Sequence, residues 1–193
     1  MKACMWLVRI NCIIYVISCF LVDPTFLFLS NGSAWYTLIT SMFLHSGLLH
    51  LLGNMLVLVL FSFKFEKVVG TKYYLYIYFI SGIVGGIFSL YFGMVPTIGA
   101  SGAIAGIIAA SLINIIKNWK YLIRTHKRAK WTIWFGYALV IYLSFIMLAP
   151  SLGTPGINNV AHFSGFISGA IAYCIIERKE KWYEKMEKEI ENA

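Results

Sequence analysis

Three short stretches hold residues whose types and spacing can do chemistry. Residues 97–103 read T-I-G-A-S-G-A and set Ser101 between Gly99 and Gly102. Residues 45–55 read H-S-G-L-L-H-L-L-G-N-M, with His45 first and then His50 and Asn54 four apart, on one face of a helix. Residues 161–169 read A-H-F-S-G-F-I-S-G and open with His162. A serine hydroxyl becomes a nucleophile at neutral pH when a base takes its proton, and histidine is the usual base. Acyl transfer also needs donors for a tetrahedral oxyanion. Asn or His side chains can serve, and so can the unpaired N–H groups at a helix N-terminus. Asp23 is the only aspartate and Glu66 lies on the other side of the expected topology, so the set is a Ser101–His162 dyad without an orienting acid. His45 and His50 are five apart with no carboxylate or thiol at that depth, a poor metal site. No metal or other cofactor is expected.

Each stretch also has a plainer reading. His50 and Asn54 suit interhelical hydrogen bonding, and a single histidine near an interface is often structural. G-A-S-G suits a helix cap followed by close packing, since Gly102 and Gly106 make a G-x-x-x-G, as do Gly165 and Gly169. The two glycine pairs would let the helices carrying Ser101 and His162 approach closely, with Ala105 and Gly106 in the contact.

The elements that must position these residues are membrane spans. The 193 residues are 60% hydrophobic and only 12% charged, with apolar runs of the roughly 20 residues a bilayer requires. The expected fold class is all-α, a polytopic bundle of six transmembrane helices near 5–22, 46–63, 73–92, 100–117, 131–149 and 158–176. Asp23-Pro24, Pro96 and the stretch from Pro150 to Pro155 provide the breaks. Backbone groups in lipid must be satisfied within the segment, which selects helices. Residues 177–193 alternate Glu and Lys at helical spacing and read as a charged, solvated extension of the last helix. Residues 23–45 are apolar and aromatic but broken by Pro and Gly, as a loop lying in the membrane interface would be.

The net charge of +8 raises nucleic acid as a partner, but its distribution argues against one. The sixteen Lys and Arg cluster at Lys2 and Arg9, at Lys64 to Lys72, from Lys117 to Lys130, and from Arg178 to Lys188. Loops 1–2, 3–4 and 5–6 carry none. The positive-inside rule then puts both termini in the cytoplasm and the Ser101 end of the bundle toward the outer face of the plasma membrane. Lys2, Arg9 and the V-I-S-C stretch at 16–19 could mimic a cleaved signal, but with five further spans a first anchoring helix is the simpler reading. Cys4, Cys12, Cys19 and Cys174 all lie in apolar segments and read as packing thiols rather than a disulfide framework.

At these residues the chain resembles the rhomboid family of intramembrane serine proteases, from about Trp35 to Glu177. G-A-S-G at 99–102 is similar to the family's G-x-S-G, A-H-F-S-G-F-I-S-G to its A-H-x-x-G-x-x-x-G, and H-S-G-L-L-H-L-L-G-N-M to its H-x-x-x-x-H-x-x-x-N. The order on spans two, four and six also matches. The resemblance implies Ser101 as nucleophile and His162 as general base and then acid. It implies His50, Asn54 and the backbone N–H of Ser101 at the oxyanion, His45 as a supporting residue, and Glu66 before Gly70 as structural. Its substrates would be transmembrane helices of other proteins, unwound near the surface of the lipid bilayer. The bare six-span form is like the simplest prokaryotic members. Two departures stand out. Tyr36-Thr37 occupies the place of a frequent Trp-Arg, which bears on the packing or lipid anchoring of that loop, and Ser62 replaces a common glycine.

Two other functions fit less well. A non-catalytic relative that binds membrane helices typically lacks the serine or the histidine, and both are present here. A small transporter would be expected to carry acidic residues in mid-span for proton coupling, and none is found there.

Overall fold

The computed structural model describes residues 2–20, 23–94, 96–118 and 158–191. Among them every named element is helical: α1 (Lys2–Ser18), a short α2 (Thr37–Thr40), α3 (Leu48–Val69), α4 (Thr71–Tyr91), α5 (Ser101–Lys117) and α6 (Asn159–Glu191). Leu48–Val69, Thr71–Tyr91 and Asn159–Arg178 are each long and apolar enough to cross a membrane, while α1 and α5 are shorter, at 17 residues each. The fifth expected span, 131–149, lies outside the described residues.

The bundle is organised around α5. Its residues from Gly102 to Ser111 are buried without interruption. A helix apolar on every face is one that other helices surround, and α5 packs chiefly against α6 and α4. Small residues make this possible. A Cβ added to Gly165 would lie 2.2 Å from the Gly102 carbonyl oxygen, and one added to Gly169 would lie 2.3 Å from the Gly106 Cα. The two G-x-x-x-G stripes therefore meet backbone to backbone, Gly102 against Gly165 and Gly106 against Gly169, the means by which helices associate where lipid removes the hydrophobic drive. The outward surface is the converse. Leu49, Leu52, Leu56, Leu60 and Phe63 are exposed along one stripe of α3, and Phe163, Ile167, Ile171 and Ile175 along one stripe of α6.

Two helices differ in extent from the sequence expectation. The first helix begins at Lys2 instead of residue 5 and ends at Ser18. Glu66 explains its start: the carboxylate accepts the N–H groups of Ala3 at 2.9 Å and Cys4 at 3.1 Å, two of the donors a helix start leaves unpaired. Arg9 stands within α1, exposed, with its guanidinium 5.4 Å from the Trp6 ring. The second helix does not end at 63 but continues through Lys64, Glu66 and Lys67 to Val69. There Gly70, at φ +81°, stops it and α4 begins one residue later. That positive φ is strained for any residue with a side chain. The last helix runs unbroken to Glu191, so most of the charged tail extends it, as the Glu/Lys spacing predicts.

Glu66 therefore belongs to one end of the bundle, where Lys117 of α5 also pairs with Glu177 of α6. The starts of α3, α5 and α6 share the opposite end. There the segment 23–45 closes over the helices: Leu29 and Thr97 exchange both backbone hydrogen bonds, at 3.2 and 2.9 Å, and the Gly99 N–H reaches the Ser41 carbonyl at 2.8 Å. Thr37, at the place of the missing arginine, is buried and bonds the Ala34 carbonyl at 2.7 Å and the Ser33 hydroxyl at 2.8 Å. A local hydroxyl network holds the loop there. Ser62, at the place of the usual glycine, bonds the Tyr74 hydroxyl at 2.6 Å. All four cysteines are free, but only Cys4 is fully buried, and Cys12 and Cys19 face outward, so not all are packing thiols.

Candidate active site

Ser101 is the first residue of α5, and its backbone N–H is among the four that a helix leaves unpaired. His162 stands one turn into α6. Its Nε2 lies 2.7 Å from Ser101 Oγ, and its side chain is buried. The two residues are 61 apart in sequence. The register of the glycine stripes brings them together, because the Gly102–Gly165 contact lies beside both.

His50 and Asn54, on the face of α3 turned to this site, pack against Gly99. A Cβ at Gly99 would fall 2.9 Å from His50 Cε1, 3.1 Å from His50 Nε2 and 3.7 Å from Asn54 Nδ2. Gly99 also has φ +117°, where L side chains rarely go. The glycine two residues before Ser101 thus serves both backbone geometry and the approach of these two side chains. His50 Nδ1 is 3.1 Å from Ser46 Oγ. With that nitrogen accepting from the hydroxyl, Nε2 carries the proton and faces the Gly99 side. Asn54 is buried, and its Nδ2 meets no acceptor among the described residues. A buried amide donor without an acceptor costs free energy, and this one lies beside Gly99, two residues before Ser101.

His45, expected as a supporting residue, packs edge-on against His50 with ring centroids 5.1 Å apart. It is buried. Burial first, and the neighbouring His50 second, push its pKa down to about 4. It is a neutral wall behind the second histidine. Glu66 lies at the far end of the bundle, against α1. The stretches singled out by residue type thus converge, and Glu66 alone stands apart from them, in its structural place.

One residue at this end escaped the sequence reading. Asn158 caps α6, its Oδ1 accepting the Ala161 N–H at 2.9 Å. An Asn just before an apolar run is a helix-start signal.

A bundle with glycine-packed helices, a lipid-facing apolar surface and a hydrogen-bonded Ser–His pair at one end defines an integral membrane protein with a hydrolase-like site. The Rhomboid domain model matches residues 32–179, most of the chain. Over 158 residues the chain is 31% identical to RHOMBOID-like protein 6, mitochondrial, of Arabidopsis thaliana, covering 80% of this chain and 48% of that protein. It is 33% identical over 138 residues to Rhomboid protease GluP of Bacillus subtilis (strain 168), covering 72% and 25%. Over 204 residues it is 30% identical to Rhomboid-like protease 3 of Toxoplasma gondii, covering 94% and 73%. The chain therefore belongs to the rhomboid family. It spans about half or less of the length of two of these relatives.

Proposed function

We propose that the chain is an intramembrane serine endopeptidase that cleaves transmembrane segments of other membrane proteins by a Ser–His dyad. The observation that carries this reading is the 2.7 Å contact between Ser101 Oγ and His162 Nε2 at the start of α5, with the Asn54 Nδ2 near Gly99 and without an acceptor among the described residues. In the proposed reaction His162 Nε2 takes the hydroxyl proton as Ser101 Oγ bonds to the scissile carbonyl carbon. The negative charge passes to the carbonyl oxygen, which the Ser101 backbone N–H, Asn54 Nδ2 and His50 Nε2 can meet, helped by the positive end of the α5 dipole. The tetrahedral intermediate collapses, the C–N bond breaks, and His162 returns the proton to the leaving amine. The acyl group remains on Ser101 Oγ. Water then gives a proton to His162 and its hydroxide adds to the acyl carbon. The C–Oγ bond breaks and Ser101 recovers its proton.

The helix lengths support a recessed site. At 1.5 Å per residue α5 is about 25 Å long, less than the roughly 30 Å hydrocarbon thickness. With Lys117 at the charged end, Ser101 would lie below the opposite surface. The charge clusters support six spans, both termini in the cytoplasm, and the dyad toward the outer face of the plasma membrane. A helical peptide bond is already hydrogen-bonded, so substrates with Gly or Pro near that surface should be preferred. The test is cleavage of a labelled single-span substrate in proteoliposomes by wild type, Ser101→Ala and His162→Ala, with folding checked for each. Cleavage abolished in both variants is expected. Cleavage persisting in Ser101→Ala would overturn the choice of nucleophile, and folded wild type inert toward several such substrates would favour a helix-binding role.

A further inference from the structure

Asn158 makes more hydrogen bonds at the site end of the bundle than a helix cap requires. On one side it caps α6: its Oδ1 accepts the Ala161 N–H at 2.9 Å, and its backbone carbonyl accepts the His162 N–H at 3.3 Å. On the other side its Nδ2 lies 2.7 Å from Thr97 Oγ1, 2.8 Å from the Met94 carbonyl and 2.9 Å from Ser89 Oγ. Both hydroxyls have committed their own hydrogens. Thr97 donates to the Met94 carbonyl at 2.7 Å and Ser89 to the Gly85 carbonyl at 2.7 Å. All three oxygens therefore accept from Nδ2, whose two hydrogens are fully used, one of them shared. The same inventory fixes the amide orientation, because a flipped amide would set an oxygen against three acceptors and an NH₂ against the Ala161 N–H.

The three oxygens belong to the C-terminal end of α4 and to the segment that leads into α5. Thr97 is also the residue whose backbone bridges Leu29. One side chain thus ties the start of the helix carrying His162 to the chain entering the helix that carries Ser101. A cap alone would set where α6 begins along its own axis. The amide arm sets it relative to α4 and α5.

We propose that Asn158 is a positioning residue for the Ser101–His162 pair, holding the height and rotation of α6 through its Nδ2 arm; this rests on the hydrolytic reading of the site. Asn158 acts on the pair through the helix it starts.

The experiment compares full-length wild type, Asn158→Ser, Thr97→Val and the double variant. Serine is as good a helix cap as asparagine but too short to reach the three oxygens, so Asn158→Ser removes the arm and keeps the cap. Three quantities are read: the rate at which a fluorophosphonate probe labels Ser101, with the labelled residue located by mass spectrometry; kcat and KM for a single-span substrate; and the thermal unfolding midpoint. A misplacement of about 1 Å in a catalytic group can cost on the order of 100-fold. The expected result is a labelling rate and kcat at least about 10-fold lower in Asn158→Ser, with KM and the unfolding midpoint close to wild type. Thr97→Val should show a smaller loss, and the double variant should be no worse than Asn158→Ser, since the two changes cut one connection. Asn158→Ser labelling and cleaving within twofold of wild type would overturn the proposal. So would losses that multiply fully in the double variant, or a lower unfolding midpoint that accounts for the loss. Should Asn158→Ser fail to fold, Thr97→Val decides alone: folded and as fast as wild type, it overturns the proposal. A folded wild type that neither labels at Ser101 nor cleaves would remove the hydrolytic reading itself, a result distinct from all of these.

Discussion

Gly165→Ala tests whether backbone contact between α5 and α6 sets the reactive distance. The added methyl would lie 2.2 Å from the Gly102 carbonyl oxygen, 2.9 Å from its carbon and 3.2 Å from its Cα. These are backbone atoms, so no side-chain rotation relieves the clash, and the helices must part by about 1 Å to restore ordinary van der Waals contact. His162 is three residues earlier on the same helix, and Ser101 adjoins Gly102. The 2.7 Å Oγ–Nε2 contact would then open past about 3.5 Å, beyond hydrogen-bond range. A misplacement of that size costs on the order of 100-fold in rate, about 2.7 kcal/mol of activation free energy. Overpacking should also lower stability by about 1–3 kcal/mol. Gly53→Ala is the matched control, since its added methyl, also on a helix, meets nothing within 4 Å. The assay is fluorophosphonate labelling of Ser101 in bilayers, alongside thermal unfolding. Folded Gly165→Ala labelling at more than a third of the wild-type rate would refute this account of how the pair is aligned.

Three further outcomes are expected. Asn54→Ala should lower kcat by about 10²–10³ through loss of an oxyanion donor while leaving the unfolding midpoint nearly unchanged, because the buried Nδ2 has no acceptor to lose; a stability loss as large as the activity loss would contradict this. Glu66→Gln leaves one of the Ala3 and Cys4 N–H groups facing an NH₂, and should destabilise the fold by about 1–3 kcal/mol, read by thermal unfolding, with kcat per folded molecule unchanged. Burial pushes the His45 pKa down to about 4, whereas an unfolded histidine titrates near 6.5. Between these values the unfolded chain binds the extra proton, so stability should fall as pH drops from about 6.5 and level off below about 4. His45→Gln should remove this component, worth up to about 3 kcal/mol, from the pH dependence of unfolding.

Much of the molecule was legible along the chain. Apolar runs located the described helices, basic clusters distinguished the two ends of the bundle, and the types and spacing of His50, Asn54, Ser101 and His162 marked the candidate site. These are local patterns, set by helical periodicity and by the cost of polar groups in lipid, and a local pattern is read without knowing its neighbours. Helix ends were less legible where their partners lie far away. The apolar run suggested that α3 stops at 63, but Glu66 continues it because its carboxylate finds the start of α1, 63 residues distant. The two G-x-x-x-G stripes were visible in sequence, yet their register, Gly102 on Gly165 and Gly106 on Gly169, was not. A shift of one turn would satisfy the same small-residue rule and carry His162 away from Ser101. Only the tertiary structure selects the register, through contacts between segments remote in sequence such as Asn158 with Ser89 and Thr97, because close packing constrains every helix of the bundle at once.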